Sequence, residues 1–180
     1  MDIGVISVRY ARALLKSALE AKLEDTVYGE MQLLAKSYVE VPQLRQTIDN
    51  PMLSKETKQS LLTTAIGGAK TASKLSQSFV ALVLKEDREN IIQFMANSYV
   101  TLYRKQKNVI SGKLITAVAV SPDMEQKMRR MVESHAQGTV EFESEVNPDI
   151  IGGFILEYDT YRMDASVKSK LNNILQTLKK

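Results

Sequence analysis

The residues best placed to do chemistry are three glutamates, Glu141, Glu143 and Glu145, spaced two apart. Such a triplet could hold a divalent cation or pair a general acid with a general base. On a strand, side chains two apart sit about 6.6 Å from one another, whereas calcium draws its oxygens to about 2.3–2.6 Å. The outer pair, at about 13 Å, cannot share one ion. The same charges fit the solvent face of an edge strand, where they discourage pairing with a foreign chain. Gly112-Lys113-Leu114 imitates the end of a phosphate-binding loop. Yet Leu114 stands where Ser or Thr must follow the lysine, and Lys107 occupies the position of the upstream glycine. His135 is the single histidine, placed near the end of a helix where it meets the negative dipole pole. There is no cysteine, which removes disulfides, thiolate nucleophiles and Cys-ligated metal sites together. Met124, Met128 and Met131, four and three apart, match core packing of one helix. No catalytic residue, cofactor site or metal site is assigned.

The elements that carry these residues fall into two parts. From Val5 to Gln106 the apolar period is helical. Val5, Val8, Ala11, Leu15, Ala18 and Leu19 mark one face of a first helix, and Val27, Met31, Leu34, Tyr38 and Val41 a second. Pro42 suits the first turn of a short third helix carrying Leu44 and Ile48. Asn50-Pro51 breaks the chain, and Ser54 caps a fourth helix with Leu61, Leu62, Ala65 and Ile66, stopped at Gly67-Gly68. A fifth runs through Leu75, Phe79, Leu82 and Val83, and a sixth through Ile91, Ile92, Met95, Tyr99 and Leu102. The expectation is an all-α six-helix bundle over residues 1–105.

Residues 106–180 read as a small α/β (α+β) domain. Leu114 to Val120 is an apolar run rich in β-branched residues and predicts a buried strand. Ser121-Pro122-Asp123 opens a helix that stops at Gly138. Val140 to Val146 alternates strictly and predicts a half-buried strand. After Asn147-Pro148 and two glycines comes a strand, Phe154 to Tyr158, turned back by Asp159-Thr160 into Tyr161–Met163. A last helix begins near Asp164 or Ser166, with Val167, Leu171, Ile174, Leu175 and Leu178 packing one stripe on the sheet and lysines elsewhere.

Charge excludes little. The net charge is +3. The excess lies in the first 105 residues, with 14 Lys and Arg against 11 Asp and Glu. The longest uncharged stretch, Asn90 to Tyr103, has 14 residues, short of the roughly 20 that a membrane span needs. No leader of charged then apolar residues is visible, which predicts a soluble intracellular chain.

The most unusual stretch is Val146-Asn147-Pro148-Asp149-Ile150-Ile151-Gly152-Gly153-Phe154, followed by Asp164-Ala165-Ser166-Val167 and a leucine-rich helix. Two glycines inside an apolar run require a backbone reason. This order resembles the signature of the delta subunit of the F-type ATP synthase, whose mitochondrial form is the oligomycin-sensitivity-conferring protein. Arg9-Tyr10-Ala11-Arg12-Ala13-Leu14 is similar to that family's first helix, and Asn50-Pro51 to its break before a helix. Phe79 to Leu84, followed by Arg88, is similar to the helix before its domain junction. Asp159-Thr160 departs from the family pattern, which often holds a glycine in that hairpin.

The resemblance implies a non-catalytic stator subunit without a cofactor, present once per complex. It implies that the N-terminal bundle grips N-terminal helices of the alpha subunits and the C-terminal domain holds the peripheral-stalk b subunit. Nucleic acid is not among the implied partners. The membrane is met only through the complex, at the cytoplasmic face of a bacterial inner membrane. A helix-in-groove grip needs apolar side chains left on a helical surface, and the first and fifth helices carry more than one buried stripe requires. Tyr10, Ala13, Leu14, Phe79 and Val83 are therefore the expected alpha-subunit contacts. Val167, Leu175 and Leu178 are the expected b-subunit contacts. Asn147, Pro148, Gly152, Gly153, Asp164 and Ser166 are the signature positions, expected to act structurally. The alternative is an RNA-binding helical regulator of the antitermination type, which would need a localised Arg/Lys stripe along one helix.

Overall fold

The computed structural model describes residues 3–68, 72–136, 139–158 and 161–178, apart from the side chains at 131 and 134–136. The chain divides into two compact units, Met1–Lys105 and Gln106–Lys180. Helices dominate, with a small mixed sheet towards the C-terminus, an α+β arrangement.

In the first unit the described residues form α1 (Ile3–Ala21), α2 (Glu24–Glu40), α3 (Pro42–Ile48), α4 (Lys55–Ala65), α5 (Lys74–Lys85) and α6 (Ile92–Lys107), with a 3-10 turn at Glu89–Ile91. Local chemistry sets these limits. Pro42 opens α3, and the Ser54 hydroxyl accepts the Thr57 N–H at 3.3 Å to cap α4. Val27, Met31 and Leu34 of α2 and Ile92, Met95 and Tyr99 of α6 are fully buried. Burial lifts the Tyr99 phenol well above its ordinary range.

Two faces differ from expectation. On α1 the buried row is Ser7, Ala11, Leu14, Leu15 and Ala18, while Val5 is 55% exposed. Ala11, Leu15 and Ala18 hold their expected places, and the buried face is centred nearer Ser7 and Leu14 than Val5, Val8 and Leu19, because α1 carries apolar residues on both flanks of that row. On α2, Val41 lies beyond the helix and is exposed, because the chain turns into Pro42 there.

The second unit contains β1 (Val109–Thr116), α7 (Pro122–Ala136), β2 (Thr139–Val146), β3 (Phe154–Tyr158), β4 (Tyr161–Asp164) and α8 (Val167–Leu178). The sheet order is β2-β1-β3-β4. β1 and β2 are parallel, joined through α7, and the other pairs are antiparallel. Leu114, Val140 and Leu156 bury one face against Val132 of α7.

Three expectations need correction. The first strand begins five residues earlier than expected and ends at Thr116; only its first part finds partners, from Val109 opposite Thr139 to Thr116 opposite Val146. The Ala117–Val120 stretch leaves the sheet, with Val118 exposed. Met124 of α7 is exposed as well, its helix turn lying beyond the sheet's cover. The stripe of α8 does not pack on the sheet: none of its residues is buried, and Leu178 is 77% exposed. The hairpin residues Asp159-Thr160 and the helix stop at Gly138 lie outside the described residues, as do the side chains of His135 and Met131.

Candidate functional site

The residues that looked chemical become structural ones. β2 is an edge strand, and its glutamates lie on the face away from α7. There Glu143, Lys113, Glu157 and Arg162 stand in register across all four strands, alternating in sign. Lys113 Nζ pairs with Glu145 at 2.5 Å, and Arg162 Nε with Glu157 at 3.4 Å. Donating a hydrogen bond to the Glu145 carboxylate, and the charge of that carboxylate, raise the Lys113 pKa. Gly112 owes its place to Phe142: a Cβ built there would meet the phenyl ring at 2.7 Å. The phosphate-loop imitation is thus a glycine admitting a ring beside a lysine tied to an acid. Among the described residues no group of three or more His, Cys, Asp or Glu could hold a metal ion.

The signature positions converge on the start of α8. Asn147 receives the Asp149 N–H on Oδ1 at 3.0 Å and gives its own N–H to Thr116 O at 2.7 Å. Pro148 opens a 3-10 turn that buries Ile150. Gly153 has φ +76°, and a Cβ on it would lie 2.3 Å from Ala165 O. Val167 N–H donates to Gly152 O at 2.9 Å, and Ala165 N–H to Phe154 O at 2.9 Å. Ser166 is buried and caps α8, its hydroxyl accepting from Ser169 N–H at 3.2 Å. Asp164 accepts from Ser166 N–H at 2.9 Å and from the Ser169 hydroxyl at 2.7 Å. Hydrogen bonds from Ser166 and then Ser169 lower the Asp164 pKa to about 2. The double glycine is a seat for the first turn of the last helix.

Beside that seat lies an apolar hollow of about 500 Å³, lined by the Ala117–Val120 stretch, Met124, Met128, Ile151 and Phe154. Along α8 itself, Val167, Leu171, Ile174, Leu175 and Leu178 form an exposed row at three-four spacing.

In the first unit, α1 and α5 enclose a shallow groove of about 190 Å³, lined by Tyr10, Ala13, Leu14 and Ser17 on one side and Leu75, Ser78, Phe79 and Leu82 on the other. Four of the five residues expected there line it. Val83 does not: it is fully buried, and Leu82, one position earlier and 48% exposed, takes its place. Arg88 fixes one end, donating from Nη1 to Tyr10 Oη at 3.1 Å with its guanidinium over the ring. Ser73 caps α5, and the Glu30 carboxylate of α2 ties that cap down, accepting from Ser73 N–H at 2.5 Å, from Ser73 Oγ at 2.7 Å and from Ser76 Oγ. Lys58 and Glu89 form a second buried tie at 2.7 Å. Sequence periodicity carries no sign of either tie, since both partners are polar and distant in the chain.

A sequence profile of the family described as ATP synthase delta (OSCP) subunit matches residues 6–178. The chain belongs to this family. The ATP synthase subunit delta of Phocaeicola vulgatus is 48% identical over 98% of this chain and 95% of its own length. That of Parabacteroides distasonis is 40% identical over 97% and 96%. A chain of the Toxoplasma gondii mitochondrial ATP synthase hexamer shares the fold, with a TM-score of 0.66, 19% identity and 97% of each chain covered. Membership in the delta (OSCP) family makes the chain a peripheral-stalk subunit of an F-type ATP synthase. It displaces the reading as an RNA-binding regulator. None of the described helices is long and apolar enough to cross a membrane.

Proposed function

We propose that this delta-family subunit is a non-catalytic clamp in the stator. Residues 1–105, as a six-helix bundle, grip N-terminal helices of the alpha subunits in the α1/α5 groove. Residues 106–180 hold the b subunit along α8. One copy per complex links the catalytic head to the membrane sector, on the cytoplasmic face of a bacterial membrane, and resists rotor torque during proton-driven synthesis.

The observation that carries this reading is that each compact unit leaves a separate apolar helical surface uncovered. A partner helix presents anchors at i, i+3, i+4 and i+7, and both surfaces offer rows of that period. Ala13 lets a partner backbone approach the groove floor closely, between Tyr10, Leu14, Phe79 and Leu82. On α8 a partner would complete the burial of Val167, Leu175 and Leu178, worth about 1 kcal/mol for each half-exposed leucine. A static tie needs no titrating centre, only contact area that persists under load.

Binding of the full chain to catalytic heads stripped of this subunit, and separately to the b subunit, tests the division. Ala13→Glu places a charge on an apolar floor and is expected to weaken head binding about a hundredfold while sparing b binding. Unchanged head affinity in that variant would count against the groove.

A further inference from the structure

We propose that the helix received by the α1/α5 groove is acid-flanked: its apolar row fills the floor, and carboxylates on its shoulders meet cations on both banks. This inference rests on the helix-in-groove reading and adds the partner's chemistry.

The two helices that form the groove carry Arg9, Arg12, Lys16, Lys74 and Lys85 against a single carboxylate, Glu20. Their combined charge of +4 exceeds the +3 of the entire chain. The positive excess is therefore local to the two helices that form the groove, outside its floor. All five cations are exposed. None has an ion-pair partner among the described residues, whereas Lys36, Lys55 and Lys58 elsewhere in the unit are paired with Glu40, Asp87 and Glu89.

Their positions follow from helical geometry. Ala13 marks the α1 bank, and Arg9 and Lys16, four before and three after it, stand just outside. A second concave strip on the outer side of α1, floored by Val5 and Val8 and edged by Arg9, Arg12 and Lys16, shares Ala13 with the groove. On α5, Lys74 lies four before Ser78 and Lys85 three after Leu82, so both border the row that lines the groove. An apolar floor between two cationic banks matches an amphipathic helix with acidic shoulders. It selects against a basic helix, for which like charges would face each other on both sides. The apolar floor also favours a protein helix over a nucleic-acid strand, whose phosphates would leave it unfilled.

The test uses the full chain and catalytic heads stripped of this subunit, at about 0.1 M and about 0.5 M salt. The variant Arg9→Gln/Arg12→Gln/Lys16→Gln/Lys74→Gln/Lys85→Gln changes only exposed side chains, and unchanged circular dichroism checks its fold. Wild type is expected to weaken about tenfold as salt rises. The variant is expected to bind about thirtyfold more weakly at low salt and to lose most of that salt dependence. Equal affinity and equal salt dependence in variant and wild type would overturn the acid-flanked partner while leaving the groove reading intact. Loss of binding by Leu82→Glu at both salts identifies the groove itself, because Leu82 lines the groove alone whereas Ala13 is shared with the outer strip. Failure of wild type to bind heads at either salt would overturn both. Displacement of wild type from heads by a short single-stranded RNA would overturn the proposal in favour of a nucleic-acid site.

Discussion

Asp164 and Gly153 show how single atoms hold the last helix in place. Asp164 has a folded-state pKa of about 2 against an ordinary value of 3.8. Its contribution to stability is therefore fully present above about pH 4 and is lost as the pH falls towards 2. Asp164→Asn is expected to lower the stability of the second unit at neutral pH and to flatten its loss between about pH 4 and pH 2; urea unfolding at several pH values checks this. Gly153→Ala forces a Cβ against Ala165 O at a positive φ, so about 2–4 kcal/mol of destabilisation is expected by the same measurement. Both positions were legible in the chain, because two glycines and an Asp-x-Ser are local patterns with local backbone causes. Glu30 was not. Its carboxylate holds Ser73, the cap of α5, from 43 residues away in sequence, and nothing in its neighbours distinguishes it from a surface acid. Glu30→Ala leaves Ser73 and Ser76 without this acceptor and is expected to cost the first unit about 2–3 kcal/mol in urea unfolding.

Helices and strands were recognisable by period, and their order stands in the structure much as the apolar spacing reads. What the spacing left open was which face turns inward. α1 and α5 are apolar on more than one side, so the spacing did not fix the edges of their buried faces: Leu14 is buried where Val5 is exposed, and Leu82 lines the groove in place of Val83. The length of β1 was similarly hidden, since the chain can be apolar beyond the point where partner strands stop. The exposed stripe of α8 yields a prediction that opposes ordinary core logic. Leu175→Glu with Leu178→Glu is expected to change folding stability by less than about 0.5 kcal/mol, because neither side chain is buried in the free chain. The same variant is expected to lose b-subunit binding. A large stability loss instead would mean that the stripe serves the fold.

Taken whole, the molecule has two units that bear separate uncovered surfaces, and its charge excess is carried by the two helices that form one of them. A clamp of this kind works by being held at both ends, so disabling either end should uncouple the complex without stopping the chemistry of the head. The decisive measurement compares proton-driven ATP synthesis with ATP hydrolysis in membrane vesicles whose own subunit is replaced by wild type, Ala13→Glu or Leu175→Glu/Leu178→Glu. Synthesis is expected to fall about tenfold or more in both variants while hydrolysis by the heads persists. Wild-type synthesis with both surfaces disrupted would contradict the clamp.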